Sequence, residues 1–246
     1  MDRSIYVAMT GAAQILRSQD ALSHDLANAS TVGFKSELSA FRSVPVLGEG
    51  APSRINAVAQ GIGQDRRQGA TIHTGRALDV AVQGAGWIAV QAPDGGEAYT
   101  RAGDLQLTAD GQLTDASGNP VIGNDGPISL PDSASISIGR DGTVSTVPLG
   151  QGPDTQATLD RIRLVDPDPA QLVQGSDGLL HMADGGRAPA SDEVTLAAGQ
   201  LEGSNVDPSG ELVRMIALSR QYDMQVKSIK SAEDDADAAN KLLQAN

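Results

Sequence analysis

Apolar residues near the N-terminus recur in alternating steps of three and four: Ile5, Ala8, Ala12 and Ile15, then Gln19, Leu22, Leu26 and Ala29. That spacing returns side chains to one stripe of a helix, and over four repeats it forms a heptad seam with Gln19 as its polar member. A helix from Ile5 to Ala29 spans about 37 Å at about 1.5 Å per residue. The C-terminal end keeps the same step through Leu212, Met215, Ser219, Tyr222, Val226, Ile229, Glu233, Ala236, Asn240 and Leu243. Ahead of it, Asp207 suits an N-cap and Pro208 the first helical position. The first half of this second seam is apolar and the rest mixed. The polar stretch "EDDADAAN" therefore predicts fraying unless a neighbour covers it.

Between the ends the period changes. Short β-favouring runs such as "LDVAVQ", "WIAVQ", "LQLT", "SISI" and "RIRLV" surround six Asp-Gly pairs, at 94–95, 110–111, 125–126, 141–142, 177–178 and 184–185. Asp-Gly between such runs is a strong hairpin pattern, because glycine accepts the positive φ of a tight turn. The middle of the chain reads as an antiparallel β domain, and the fold class as mixed α and β. Residues 44–75 are rich in Gly, Pro, Gln and Arg with little periodicity, which predicts an extended connector ordered by its context. The expected organisation is an N-terminal helix and elbow over 1–35 and a connector over 36–77. A β domain over 78–200 and a C-terminal helix over 201–246 complete it. Leaving both apolar stripes in water would forgo about 1.5–3 kcal/mol for each large side chain, so helix association is predicted from pattern alone. The helices pair with each other or with those of other subunits.

Composition narrows the partners. The chain has 246 residues, a net charge of −13, 28 glycines, 12 prolines and no cysteine. A phosphate backbone needs clustered Lys and Arg, so nucleic acid is not an expected partner. An anionic membrane surface is disfavoured on the same ground, and no apolar run reaches the roughly 20 residues of a membrane span. Without cysteine there is neither a disulfide nor a thiolate metal site. The start, "SIYVAMTGAAQIL", is broken by Gln14 and Arg17 and patterned as a helix, so a cleaved signal peptide is not expected.

Candidate chemistry fails on context. "DLANASTVGFK" ends in Gly-Phe-Lys, with Phe34 between Gly33 and Lys35 and Asn28 where a phosphate loop needs its first glycine; it also follows a helix rather than a strand. "GAGWIA" (84–89) matches a dinucleotide fingerprint, but a second strand follows where a helix is required. Gly84 and Gly86 instead predict a turn that re-aims the strand and places Trp87. The Asp-Gly pairs lack the closing Glu of a calcium loop. His24, His73 and His181 are scattered, and no nucleophile elbow occurs. A hydrolase built on an unrecognised carboxylate pair is the weakest reading. No enzyme, metal or cofactor is expected. Gly33 predicts the position that redirects the chain after the helix, with Asn28, Ser30 and Thr31 bonding freed backbone groups and Phe34 as an apolar plug.

Four blocks in order carry a family resemblance: "LANASTVGFK" (26–35), "LDVAVQGAGWIAV" (78–90), "YTRAGDLQLTADGQLTDASGNPVIG" (99–123) and "LEGSNVDPSGELVRMIALSRQYDMQVKSI" (201–229). They cover about a third of the chain and resemble the flagellar basal-body rod and hook proteins of bacteria. The length, the start "MDRSIYVAMTGA" and "AFRSVPV" after the Gly-Phe-Lys turn look like the proximal-rod branch, with distal-rod and hook-type subunits the near alternatives. His24-Asp25 departs from a pair that is often two asparagines in the family, and "ALSRQYDMQ" replaces a more Ala- and Asn-rich segment.

The resemblance implies terminal helices paired as a coiled-coil-like inner layer of a tubular assembly, with the β domain outside. It implies other rod proteins and copies of the chain itself as partners, and a place in the periplasmic rod of the basal body. Export through the flagellar type III apparatus without a cleaved signal follows from the same likeness. Under it the assembly seams are Ile5, Ala8, Ala12, Ile15, Leu22, Leu26 and Ala29 on the first helix, and Leu212, Met215, Tyr222, Val226 and Ile229 on the second. Asn28, Gly33 and Phe34 form the elbow joining helix to β domain. The rival reading from another class is a self-associating β binding module.

Overall fold

A computed structural model describes residues 4–45, 55–151 and 155–244. Two helices, α1 (Ser4–Ala27) and α2 (Pro208–Gln244), bracket a β-rich middle in which the strands of the second unit pair antiparallel among the described residues. The chain divides into two compact units. The first holds 1–29, 37–62 and 206–246; the second holds 30–36 and 63–205.

In the first unit α1 and α2 pack on each other. Asp25 interacts with Glu211 near one end and Gly11 meets Gln225 further along, so the pair runs antiparallel. With 37 residues against 24, α2 overruns α1. It starts as its sequence predicts, Asp207 Oδ1 accepting the Ser209 N–H at 3.1 Å beside Pro208. Within the described residues helix continues through "EDDADAAN" to Gln244. Alanine there has the highest helix propensity, which offsets the weaker Asp and Asn. Strands β1 (Glu37–Pro45) and β2 (Ile55–Gln64) form a two-stranded sheet inside the stretch expected to be a bare connector. Their many small and polar residues carry little apolar alternation, so the strand period is faint in the sequence. Residues 46–54 of that connector lie outside the described residues.

The second unit is built from short strands. Two small sheets pair β3 (Thr71–His73) with β16 (Gln200–Glu202) and β4 (Val80–Gln83) with β15 (Thr195–Ala198). A third pairs β7 (Gln106–Leu107) with β8 (Leu113–Thr114). In a three-stranded sheet β10 (Thr143–Pro148) lies between β9 (Ser133–Ile138) and β11 (Ala157–Arg161). The five-stranded sheet runs in the order β12 (Leu164–Val165), β5 (Trp87–Gln91), β6 (Glu97–Thr100), β14 (Leu180–Met182), β13 (Leu172–Gln174).

Strand β5 is buried on both faces. Ile88 and Val90 enter a core with Val80, Val82, Leu105 and Leu196, while Trp87 and Ala89 pack with Tyr99, Val165 and Leu180. That double burial is why "WIAV" reads as an unbroken apolar run instead of an alternating one.

All six Asp-Gly glycines have positive φ, from 69° to 135°. Four of the pairs turn consecutive strands: β5–β6, β7–β8, β9–β10 and β13–β14. Each uses one geometry, as at Gly139, whose N–H donates to Thr143 C=O at 2.8 Å while the Gly142 N–H returns to Gly139 C=O at 3.0 Å. This is the three-residue hairpin loop in which glycine closes a bulge after a type I turn. The same turn recurs at Asp115–Gly118 without an Asp-Gly pair, Gly118 having φ 87°.

Gly84 and Gly86 connect β4 to β5, which belong to different sheets, and Trp87 ends up 3% exposed. Gly86 has φ 126°, and a Cβ there would lie 2.5 Å from a Val194 methyl. Gly86→Ala is expected to cost about 2–4 kcal/mol through strain and overpacking. Urea unfolding followed by Trp87 fluorescence measures it.

Candidate functional site

The chain turns out of α1 through Asn28, whose side-chain amide and backbone N–H both donate to His24 C=O, at 3.0 and 3.2 Å. Ser30 and Thr31 follow in the turn, and Gly33 adopts φ 69° with its N–H donating to Glu202 C=O at 2.7 Å. A Cβ on Gly33 would sit 2.3 Å from the Arg101 carbonyl carbon, so this close approach admits no side chain. Phe34 is half-buried and lines a recess of about 50 Å³ with Trp87, Tyr99 and Leu180, all in the second unit.

Next to it lies a buried ion cluster. Glu202 on β16 is 0% exposed and its carboxylate accepts three bonds. Lys35 Nζ donates at 2.5 Å, the Gly69 N–H at 3.0 Å and Arg101 at 2.9 Å. Lys35 also donates to Arg67 C=O, and Arg101 to the carbonyls of Gly84 at 2.6 Å and Gly86 at 2.9 Å. The guanidinium groups of Arg101 and Arg66 stack on the Trp87 ring at 5.5 and 5.2 Å. Burial pushes the Lys35 ammonium below its ordinary value, and the bond to Glu202 pulls it back. Hydrogen bonds from Arg67 hold the nearby buried Asp65 carboxyl below its usual range. Each of the four sequence blocks contributes: Lys35 from the first, the Gly84 and Gly86 carbonyls from the second, Arg101 from the third and Glu202 from the fourth.

Asn205 ties together the loop segments that meet beside this cluster. Its Oδ1 accepts the Ser36 N–H at 2.9 Å, and its Nδ2 donates to the carbonyls of Asp65 at 2.9 Å and Arg67 at 3.1 Å. Its own N–H reaches Phe34 C=O at 3.3 Å. None of Lys35, Arg101, Glu202 or Asn205 stands out by spacing, since Lys35 and Glu202 are 167 residues apart. Lys35 is the sole charged residue of its block, whereas Arg101, Glu202 and Asn205 stand among several other charged and amide residues of theirs.

On α1 the seam residues Ala8, Ala12 and Ile15 are buried, and Ile5, Leu22 and Leu26 half-buried; the helix stops at Ala27, so Ala29, also half-buried, lies in the turn beyond the expected seam. On α2, Met215, Tyr222 and Ile229 are half-buried, whereas Leu212 and Val226 are 48% and 44% exposed. The positions that share the inner face with Met215, Tyr222 and Ile229 are Glu211, Leu218 and Gln225. Those sites differ from the apolar step pattern because two of the three are polar. The side chains of Ala236, Asn240 and Leu243 lie outside the described residues. A second set of apolar residues stays exposed: Tyr6, Met9 and Leu16 on α1, and Leu212, Val213, Ile216, Met224 and Val226 on α2.

Inside the helix pair, burial pushes the Asp25 carboxyl above its ordinary value, Glu211 adds to the rise, and the Glu37 N–H donated to Asp25 Oδ1 opposes it. Glu211 is itself buried. Among the described residues, no three His, Cys, Asp or Glu are grouped to hold a metal, and no helix is long and apolar enough to cross a membrane.

Two family models match the chain. One is described as the flagellar hook protein FlgE/F/G D1 domain, over residues 81–146, and the other as the flagellar basal body rod FlgEFG protein C-terminal region, over 197–242. The flagellar basal-body rod protein FlgF of Escherichia coli K12 is 42% identical over 249 residues, covering 99% of each chain. That of Salmonella typhimurium LT2 matches at the same identity and coverage. The rod protein FlgG of Agrobacterium fabrum is 30% identical over 98% of this chain and 99% of its own.

Glu202→Gln leaves two buried cations without a counter-charge, and a loss of about 3–5 kcal/mol from the β unit is expected by urea titration. Asp25→Asn tests the helix pair. Because the folded carboxyl titrates above its ordinary value, ionising it costs the folded state, so its penalty is absent at low pH and grows as pH rises through the acid range. The Asn variant should therefore melt higher than the parent at pH 7, with the gap closing towards pH 4. Thermal unfolding followed by helix circular dichroism at both pH values reads this out.

Proposed function

From the premise that this chain belongs to the FlgF family of flagellar basal-body rod proteins, we propose that it is a non-enzymatic structural subunit of the proximal rod. It joins a tubular shaft that transmits torque by rigid packing. The full-length likeness to FlgF proteins carries this reading, and the lower identity to FlgG makes the distal rod the lesser alternative.

The physical mechanism is distributed burial. A helix with apolar residues on two faces needs more than one neighbour. One face of α1 and of α2 meets the other helix of the same chain, and the second faces, Tyr6, Met9 and Leu16 with Leu212, Val213 and Ile216, are left for adjoining subunits. In the assembly these helices form a coiled-coil-like inner layer, with the β unit making lateral and axial contacts outside it. Ala8, Ala12, Ile15, Leu22 and Leu26 on α1 with Met215, Tyr222 and Ile229 on α2 hold the pair in register, and Asn28, Gly33 and Phe34 redirect the chain into the β unit. Partners are other rod proteins and further copies of the chain. Its place is the periplasmic rod, reached by export through the axial channel without a cleaved signal.

Ile216 is 56% exposed, so Ile216→Asp should leave the chain's melting temperature within error and yet abolish its incorporation into basal bodies. Immunoblotting of isolated basal bodies and swimming in soft agar measure it. Normal incorporation would count against the exposed faces as assembly surfaces.

A further inference from the structure

The six Asp-Gly pairs of the β unit share one dipeptide, yet the fold does not hold them equally. In five of them the glycine N–H is engaged: Gly95, Gly111, Gly142, Gly178 and Gly185 each donate to the carbonyl three residues earlier, at 2.9 to 3.2 Å. Four of those five also have the aspartate carboxylate tied to the backbone just ahead. Asp94 accepts the Gly96 N–H at 2.8 Å, Asp141 that of Thr143 at 3.1 Å, Asp177 that of Leu179 at 3.1 Å and Asp184 that of Gly186 at 2.9 Å. The sixth pair, Asp125-Gly126, differs at both groups. Among the described residues, neither the Gly126 N–H nor the Asp125 carboxylate has a hydrogen-bond partner. Its turn is held instead by the Gly123 N–H, which donates to Gly126 C=O at 2.7 Å, and by the Asn124 N–H, which donates to Asp160 Oδ1 at 3.2 Å. It is therefore an open turn, without the bond that closes the other five. Asp125 is exposed, and Gly126 is half-buried with φ 135°.

We propose that Asp125-Gly126 is a self-modification site, the one Asp-Gly pair of the six that isomerises to isoaspartate in the folded protein. The Gly126 nitrogen attacks Asp125 Cγ. As the new C–N bond forms, the nitrogen's proton and the carboxyl's hydroxyl leave together as water, and the product is a cyclic imide. Water then adds to the main-chain carbonyl carbon of Asp125, and the bond from that carbon to the Gly126 nitrogen breaks. The chain now runs through the former side-chain carbonyl, with the freed main-chain carboxylate as a branch. One water leaves and one enters, and nothing is oxidised or reduced. Glycine favours the first step because no Cβ shields its nitrogen. Where that N–H is bonded inside a closed turn, the bond must break before the nitrogen can reach Cγ, and a bonded carboxylate adds a second bond to break. The isomerised chain keeps the charge at 125 but gains an extra backbone carbon ahead of Gly126, so the turn from Gly123 to Gly126 must widen.

Ageing of the purified full chain tests this, in native buffer and in guanidinium chloride side by side. A protease that cuts before aspartate but not before isoaspartate separates residues 115–124 from 125–131, so isomerisation at 125 leaves 115–131 uncut with its mass unchanged. In native buffer this uncut peptide should accumulate about tenfold faster than the corresponding product at any of the other five pairs, the factor that one retained hydrogen bond is worth. In guanidinium chloride all six pairs should react at similar rates, because the turns that distinguish them are gone. Equal rates at the six pairs in native buffer overturn the proposal, as does full release of 125–131 from a native chain aged until its unfolded counterpart has reacted. Selective reaction at 125 in guanidinium chloride overturns it too, since the preference then belongs to the local sequence and not to the fold.

Discussion

Complete burial of one carboxylate organises this protein. Moving Glu202 out of water carries a penalty of several kcal/mol, which only nearby cations and aligned donors can offset. Lys35, Arg101 and the Gly69 N–H meet that demand, and they come from separate segments of the chain. Satisfying Glu202 therefore draws the turn after α1, strand β6's end, the 65–69 segment and β16 to one point. The glycines around it follow from the same demand. Gly33 lies against the Arg101 backbone, a Cβ on Gly69 would be 1.9 Å from Gly203 C=O, and Gly84 and Gly86 turn their carbonyls to the Arg101 guanidinium.

The helix pair obeys a different balance. Its inner face mixes apolar residues with Gln14, Ser18, Asp25 and Glu211, all buried. Such a face buries less apolar area than a Leu-rich seam would, while the opposite faces still hold Tyr6, Met9, Leu16, Ile216 and Met224 in the open. A subunit designed to stand alone would reverse that distribution. One whose helices gain neighbours on assembly does not need to.

Secondary structure and turns were readable from the sequence because their causes are local. The heptad steps placed α1, Asp207-Pro208 placed the start of α2, and Asp-Gly pairs marked hairpins whose glycines all take positive φ. The β1–β2 sheet was missed since small and polar residues such as Ala57, Gly61 and Gly63 carry no strand period. On α2 the apolar steps ran through Leu212 and Val226, which face outward, because a helix with two apolar stripes does not say which one its own chain covers. The ion cluster was illegible for another reason. Charges become a site only when the fold brings them together, and Arg101 lies 101 residues from Glu202.

Assembly by burial of outward helix faces is tested most directly by amide and side-chain protection in two states of the same chain. Hydroxyl-radical footprinting of the free protein and of isolated rods would report Tyr6, Met9, Leu16, Ile216 and Met224 individually. Strong protection of these side chains in the rod, with Trp87 and Tyr99 equally protected in both states, is the expected result. Equal labelling of the helix faces in both states would contradict subunit packing through them.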